Sequence, residues 1–154
     1  MLKTMNKKNI FRLIIALTLL IVGFVYFVIN GGYLNNAKEQ SMVMIRGHAI
    51  KIETVKDEKA KALGLSRRQS LCGDCGMLFV FDKPGKYSFW MKDMQFALDL
   101  LWIRDGRVVF MKKNVPPDFA ATITPTENAN QVLEINAETV DGFGIKVGDK
   151  VKLK

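Results

Sequence analysis

Hydrophobic and polar residues divide the chain into two parts with different patterns. Residues 10–29 are almost wholly apolar, have no polar face and carry a single charged residue, Arg12. As a helix that rises about 1.5 Å per residue, such a segment would cover roughly 30 Å, the thickness of the hydrocarbon core of a bilayer. After residue 40, short apolar runs alternate with polar turns, which is typical of β-strands. The pattern therefore predicts one transmembrane helix followed by one β-rich domain.

Within residues 41–154 the pattern predicts short strands and one or two short helices. The turn Arg46-Gly47 separates two alternating segments, and Asp105-Gly106 is the strongest hairpin signal in the chain. The predicted strands cover residues 42–44, 50–54, 77–81, 87–91, 98–103, 108–110, 132–135 and 151–153, and the predicted helices cover residues 57–63 and 137–140. Short strands with Gly and Pro turns indicate a mainly β fold, a compact antiparallel sandwich or barrel.

The charges around the apolar run predict its orientation in the membrane. Its basic residues are Lys3, Lys7, Lys8 and Arg12. Because no acidic residue accompanies them, the positive-inside rule places residues 1–9 in the cytoplasm and residues 41–154 outside. The predicted location is the cell membrane, with a single crossing through residues 10–29.

A short linker and an uncleaved anchor complete this organisation. Residues 30–40 are Gly/Asn-rich and then polar, which is typical of a flexible tether. The main alternative is a cleaved secretory signal, whose apolar core usually covers only about 7 to 15 residues before a small-residue cleavage site. The apolar run here is longer and no such site follows it. We therefore favour an uncleaved anchor.

The net charge does not indicate a nucleic-acid partner. The chain has 23 basic and 15 acidic residues, a formal charge of +8. Four of the basic residues belong to the N-terminal segment, so the remainder carries 19 against 15, or +4. These charges are interspersed, without the stripe of basic and aromatic residues that nucleic-acid binding proteins present. We predict no nucleic-acid partner.

Several short sequence blocks follow one another in the order of a known family. They are Gly64-Leu65 with Arg68 and Leu71, Gly76-Met77-Leu78-Phe79-Val80-Phe81, Phe89-Trp90-Met91-Lys92, Leu98-Asp99, Val132-Leu133-Glu134 and Gly148-Asp149. Over residues 51–153 the sequence resembles the domain-of-unknown-function family 192. The resemblance implies a mainly β fold similar to a jelly roll, often exported or membrane-attached in prokaryotes. It implies no known reaction and supplies no catalytic residue, so the candidate sites rest on the residues themselves.

Cys72 and Cys75, with two residues between them, have the spacing of a redox pair and depart from many members of that family. In an oxidising compartment they can close a small disulfide. A redox enzyme would need a thiolate at a helix N-terminus, whereas here Gly76 leads into a predicted strand. A structural zinc site would need further ligands, and His48 is the only histidine. We expect a structural disulfide or free thiol pair, with redox and metal roles as alternatives, and predict no metal and no cofactor.

The other candidate site combines aromatic and charged residues on apolar segments. It contains Trp90, Lys92, Asp99, Trp102 and Glu134. Strand alternation would place Trp90 and Lys92 on one face, and Asp99 on a neighbouring strand would then pair with Lys92. One interpretation is two core tryptophans with a structural ion pair. The other is a concave ligand site for a sugar or a small anionic group.

These residues support hypotheses from different classes of function. The first is a non-enzymatic module that binds a small molecule, a sugar or an envelope component outside the membrane. The second is an exported enzyme, either a thiol-redox enzyme through Cys72 and Cys75 or a hydrolase through Asp99 and Glu134. The third is a structural accessory of an envelope assembly. Two carboxylates about 5 to 10 Å apart across an open cleft would favour the hydrolase.

Overall fold

The computed structural model describes residues 6–27 and 41–154. They belong to two compact units that divide after residue 39. Three sequence predictions therefore fall outside the described residues: the linker 30–40, the last two residues of the predicted span, and residues 1–5 of the predicted cytoplasmic segment.

Within residues 6–27 of the N-terminal unit the structure describes an apolar helix, α1 (Lys7–Phe27). Asn6 caps its start, because the Asn6 side-chain oxygen accepts a hydrogen bond of 3.2 Å from the Lys8 N–H. The stretch Lys7–Tyr26 is long and apolar enough to cross a membrane, by length and composition. A membrane anchor and a signal sequence both meet that criterion. The helix begins three residues before the predicted span.

The C-terminal unit contains a single seven-stranded sheet within residues 41–154. Its strands are β1 (Met42–Ile45), β2 (His48–Val55), β3 (Cys75–Gly85), β4 (Leu98–Arg104), β5 (Arg107–Val115), β6 (Ala129–Asn136) and β7 (Val151–Leu153). Its short helices are α2 (Glu58–Leu63) and α3 (Thr139–Gly142). The strand order is β5-β4-β6-β3-β2-β1-β7. The prediction of a mainly β fold with one or two short helices in this unit is confirmed.

The sheet differs in two respects from the predicted antiparallel sandwich or barrel. First, β2 and β3 are parallel, whereas the other neighbouring pairs are antiparallel. The prediction was wrong for this pair because side chains alternate with the same period in both kinds of ladder. Second, the strands form one curled sheet rather than two stacked sheets. Its edge strands β5 and β7 approach at one end through the bridge Arg107↔Lys150, which makes the unit a half-barrel.

Apolar side chains cover both faces of this sheet. The concave face gathers residues from all seven strands, among them Ile45, Leu78 and Leu101. The convex face carries a second core, to which Phe79 and Trp102 belong. This second core is closed by α2 and by the segments that follow β3 and β5. Strand β4 is therefore buried on both faces, which explains its continuous apolar sequence.

The two predicted hairpin turns are confirmed, and one predicted strand is wrong. Arg46 and Gly47 have φ values of 50° and 87°, and Asp105 and Gly106 have values of 52° and 66°. Positive φ at both central residues is the geometry of the tight type I′ hairpin. In contrast, the predicted strand 87–91 contributes only an isolated bridge to the sheet pattern. It packs over the convex core as a covering segment.

Candidate functional site

Glu134 is an ionisable residue that the convex core surrounds. It lies on β6 directly opposite Met77 of β3 and Leu100 of β4. Only 5% of its surface is exposed. Among the residues that the structure describes, its Oε2 atom has no hydrogen-bond partner. An unsatisfied buried polar atom is costly, so its position at this point of an apolar core calls for an explanation.

Burial determines the protonation of this carboxyl group. Desolvation raises the pKa of Glu134 to about 8, and the charge of Arg68 opposes the shift only in part. Arg68 is itself held by the Glu53 carboxylate at 2.9 Å. At neutral pH the Glu134 side chain is therefore mainly protonated. In this form it can donate a hydrogen bond as well as accept one.

A small cavity of about 30 Å³ lies beside Glu134. Its other lining residues are Lys61, Ala62, Leu63, Gly64, Leu65, Ser66, Phe79, Phe89, Trp90 and Met94. Gly64 ends α2 with φ +52°, and a Cβ atom there would lie 3.4 Å from the Phe79 ring and 3.9 Å from Glu134 Oε2. Glycine thus permits this backbone conformation and keeps space above the carboxyl group. The cavity is about as large as the roughly 30 Å³ that one water molecule occupies in the liquid.

Two chain segments are joined next to Ser66, which lines this cavity. The Ser66 hydroxyl donates a hydrogen bond of 2.8 Å to the Lys92 carbonyl. The Arg67 N–H donates one of 2.8 Å to the Asp93 carbonyl, and the two side chains form an ion pair at 3.4 Å. Arg67 and Asp93 have positive φ values of 65° and 58°. Non-glycine residues rarely adopt this conformation, so the link between these two segments contains strained backbone.

Trp90 forms an exposed wall next to the cavity. Its surface is 57% exposed, whereas the adjacent Met91 is buried and Phe89 packs on the convex core. Two open clefts of about 210 Å³ and 270 Å³ also have Trp90 in their lining. The Lys92 ammonium lies 5.8 Å from the centre of the Trp90 ring. The structure therefore brings Trp90, Lys92 and the cavity of Glu134 to one region of the surface.

Asp99 does not belong to this region, so the predicted convergence of Trp90, Lys92 and Asp99 is wrong. Asp99 is fully buried on the concave face of β4. Its carboxylate accepts hydrogen bonds from the N–H groups of Asn114 (2.7 Å) and Val140 (2.8 Å). Burial raises the pKa of Asp99, and these two hydrogen bonds oppose the change. Asp99 therefore connects β4 to the end of β5 and to α3.

The predicted hydrolytic pair also fails on geometry. Glu134 is opposite Leu100, and Asp99 is the residue before Leu100 on the same strand. Successive residues of a strand point to opposite faces, so the sheet itself separates the two carboxyl groups. They cannot flank one bond of a substrate.

Trp102 is a core residue rather than part of an open site. It is fully buried on the convex face, and its Nε1–H donates a hydrogen bond of 2.8 Å to the Tyr87 carbonyl. This bond holds the covering segment that carries Trp90. Trp102 is therefore a positioning residue for the site.

The cysteine pair does not belong to the lining of the cavity beside Glu134. Cys72 and Cys75 are joined by a disulfide bond in the loop that enters β3. The Lys51 ammonium lies 2.8 Å from the Asp74 carboxylate and holds the pKa of Asp74 below its ordinary value. Because Cys75 begins a strand, no helix N-terminus is available to stabilise a thiolate. The redox state in the native compartment stays a prediction.

The structure also shows the environment of His48 and the residues that enclose Glu134. The His48 ring stacks on Phe143 at 3.8 Å, which supports a structural role. Sequence reasoning selected Glu134 but missed Gly64, Ser66 and Phe89, which enclose it. The sequence signal that could have identified Gly64 was the Gly64-Leu65 block of the family resemblance. Neither its charge nor its hydrophobic pattern points to a site.

Comparisons with known proteins agree with this fold. Residues 41–153 match the model of domain-of-unknown-function family 192, described as Uncharacterized ACR, which confirms the resemblance found in the sequence blocks. A protein of unknown function from Novosphingobium aromaticivorans DSM 12444 is similar in structure, with a TM-score of 0.69, 30% identity, and coverage of 72% of this chain and 83% of that chain. A protein from Sinorhizobium meliloti 1021, provisionally described as a transcription regulator, has a TM-score of 0.69, 31% identity and coverage of 73% and 91%. None of the curated proteins matches the chain.

Proposed function

We propose a ligand-binding function for this protein, which belongs to the domain-of-unknown-function family 192 through residues 41–153. The domain binds a small neutral ligand or envelope component that presents hydroxyl groups, such as a sugar. One observation carries the proposal: the unpartnered Oε2 of buried Glu134 adjoins a cavity beside the exposed Trp90 ring. A buried polar group without a partner, next to a cavity and an aromatic wall, has the properties of a binding site.

The sizes of the spaces around Trp90 define how such a ligand would bind. The cavity of about 30 Å³ holds a group about the size of a hydroxyl. The body of the ligand would lie outside it, against Trp90, in the clefts of about 210 Å³ and 270 Å³. A sugar ring meets both requirements, because one face of the ring is apolar and its hydroxyl groups can accept a hydrogen bond from protonated Glu134.

The proposal includes no catalytic step and no nucleic-acid partner. The two buried carboxyl groups lie on opposite faces of the sheet, so a hydrolytic pair is not supported. The description of the Sinorhizobium protein as a transcription regulator would imply contact with nucleic acid. Many charged side chains of this domain instead pair with one another, as Arg68 does with Glu53 and Lys113 with Asp141.

The ligand experiment compares four single variants of the full chain in detergent, with thermal shift as the readout. The probes are oligosaccharides of N-acetylglucosamine, because a ligand that binds only the native state must raise the melting temperature. Trp90→Ala should abolish the ligand-induced shift, whereas Val147→Ala, at an exposed apolar position distant in sequence, should preserve it. Glu134→Leu should abolish the shift, whereas Glu134→Gln, which retains a hydrogen-bond donor, should preserve part of it.

The second part of the proposal concerns location. The apolar helix α1 anchors the chain in the cell membrane, with the basic N-terminus in the cytoplasm and the β domain outside. Its support is the length and composition of Lys7–Tyr26, together with the basic residues near its start. Protease added to intact cells, with any outer envelope opened, should then digest the β domain. Protection until the inner membrane is breached would contradict this topology.

A further inference from the structure

A second surface of the β domain, which shares no residue with the cavity of Glu134, carries a cluster of basic side chains. We call it the basic edge, and it consists of Arg46, Lys150, Lys152 and Lys154 around Met44. Together with Gly47 these residues line an open cleft of about 280 Å³. The cluster lies on the adjoining strands β1 and β7 at one margin of the sheet.

Strand register explains why these side chains lie together. Lys152 pairs directly with Met44, and the backbone groups of Lys154 and Met42 exchange two hydrogen bonds of 2.8 and 2.9 Å. Positions 150, 152 and 154 alternate along β7 and so point to one face, while Val151 points into the concave core. The basic edge therefore combines three lysines with an apolar methionine on one surface.

Most of this positive charge lacks an acidic partner. Within residues 41–154 the structure gives Arg46 one such partner, Asp149, at 3.4 Å, and gives none to the three lysines. Among residues 41–154, no acidic residue lines the cleft. A surface of this kind attracts anions, and its attraction acts over about 8 to 10 Å at physiological ionic strength.

The covalent path of the chain suggests which anion this surface meets. Strand β1 begins at Met42, so the polypeptide that comes from α1 enters the domain at the basic edge itself. Residues 28–41 connect α1 and β1, and these fourteen residues can extend at most about 50 Å. Tethering at this point would hold the basic edge at high effective concentration near the bilayer surface.

We propose that the basic edge docks on anionic phospholipid headgroups of the bilayer in which the chain is anchored. This inference rests on the proposed anchoring, but it does not depend on the ligand site at Glu134. The lysine ammonium groups contact headgroup phosphates, and Met44 lies against the interface. Docking would orient the domain, so that the margin of the sheet formed by β1 and β7 faces the membrane.

Residues 41–154 can be tested as an isolated domain. Both hydrophobic cores lie entirely within residues 43–151, and the matching region makes up most of the two solved relatives. The assay is sedimentation with vesicles of phosphatidylcholine containing 30% phosphatidylglycerol, compared with vesicles of phosphatidylcholine alone. We expect binding to the anionic vesicles that weakens as salt is added.

Two triple variants with equal loss of charge distinguish the basic edge from general attraction. Lys150→Gln, Lys152→Gln and Lys154→Gln together should lower the affinity for anionic vesicles about 100-fold, at about five-fold per lysine. The control carries Lys56→Gln, Lys59→Gln and Lys86→Gln, three exposed lysines outside the basic edge, and should lose much less. Circular dichroism establishes that both variants are folded.

Three results would overturn the proposal. They are equal binding to both kinds of vesicle, equal losses in the two triple variants, and binding of duplex DNA but not anionic vesicles through the same lysines. Because the isolated domain lacks α1, vesicle binding is measured separately from anchoring. Failure of the vesicle assay would leave the proposed topology standing, and failure of the protease test would leave the vesicle result standing.

Discussion

Replacement of Glu134 by Gln should change how stability depends on pH. In the folded protein the pKa of Glu134 is raised to about 8 from an ordinary value of 4.5. Between these two pH values the folded chain binds more protons at this position than the unfolded chain. The contribution of Glu134 to the free energy of unfolding is therefore highest below about pH 4.5 and decreases as the pH rises toward 8. Gln cannot ionise, so the free energy of unfolding of the variant should lack this dependence on pH.

The size of the effect follows from the difference between the two pKa values. A full difference of one bound proton changes the free energy of unfolding by about 1.4 kcal/mol per pH unit. From pH 4.5 to 8 the wild type should therefore lose up to about 5 kcal/mol from this group. Water that enters beside the ionised carboxylate would reduce the loss. Since whole domains are stable by about 5 to 15 kcal/mol, the change is large enough to measure.

Urea denaturation at pH 5, 6, 7 and 8 measures this dependence for the wild type and Glu134→Gln. Glu127→Gln is the matched control, because Glu127 is exposed and the substitution is the same. Above pH 7 Glu134→Gln should be the more stable protein by roughly 2 to 5 kcal/mol, whereas Glu127→Gln should follow the wild type. A wild-type stability that stays constant from pH 5 to 8, or a Gln variant with the wild-type slope, would refute the reasoning about the buried carboxyl group.

Three further substitutions test individual parts of the structure. Gly64→Ala places a side chain at φ +52° and should cost about 1 to 2 kcal/mol in urea denaturation, whereas Gly73→Ala, with open space around it, should cost less. Asp99→Ala leaves two buried N–H groups without an acceptor and should lower the free energy of unfolding by about 2 to 5 kcal/mol. Asp99→Asn should lower it less. Neither variant should abolish a ligand-induced thermal shift. Cys72→Ser with Cys75→Ser should leave the fold intact and lower the free energy of unfolding by at most about 2 kcal/mol, because the closed loop is short. Thiol labelling of the wild type before and after reduction should show the disulfide.

Much of the fold follows from local sequence signals. The turns Arg46-Gly47 and Asp105-Gly106 have positive φ at two consecutive positions, which the glycines, and Asp105 more readily than most residues, can adopt. Asp57 and Gly64 likewise define the ends of α2, since the Asp57 carboxylate accepts a hydrogen bond from the Ala60 N–H at 2.8 Å. Each of these signals depends on residues that are close together in the sequence.

The errors concern contacts between distant segments. The direction of β3 relative to β2 depends on the path of residues 56–74, which the alternation of side chains does not encode. The segment 87–91 has the composition of a strand, but it closes the convex core through Phe89 and Met91. Asp99 was placed beside Lys92 because opposite charges on predicted neighbouring strands often pair. Its true partners are two backbone N–H groups on β5 and α3, which no pattern of charges reveals.

The two buried carboxyl groups differ in the hydrogen bonds that they leave unused, and this difference separates structure from function in the domain. Asp99 accepts hydrogen bonds at both of its oxygen atoms, so it has little capacity left for a ligand. Glu134 has an Oε2 atom without a partner among the described residues, and its pKa keeps it protonated near neutral pH. An apolar residue at position 134 would avoid the desolvation cost, since the surrounding core is apolar. A structural role therefore accounts for Asp99, whereas the unpartnered Oε2 of Glu134 is the feature on which the proposed ligand site rests.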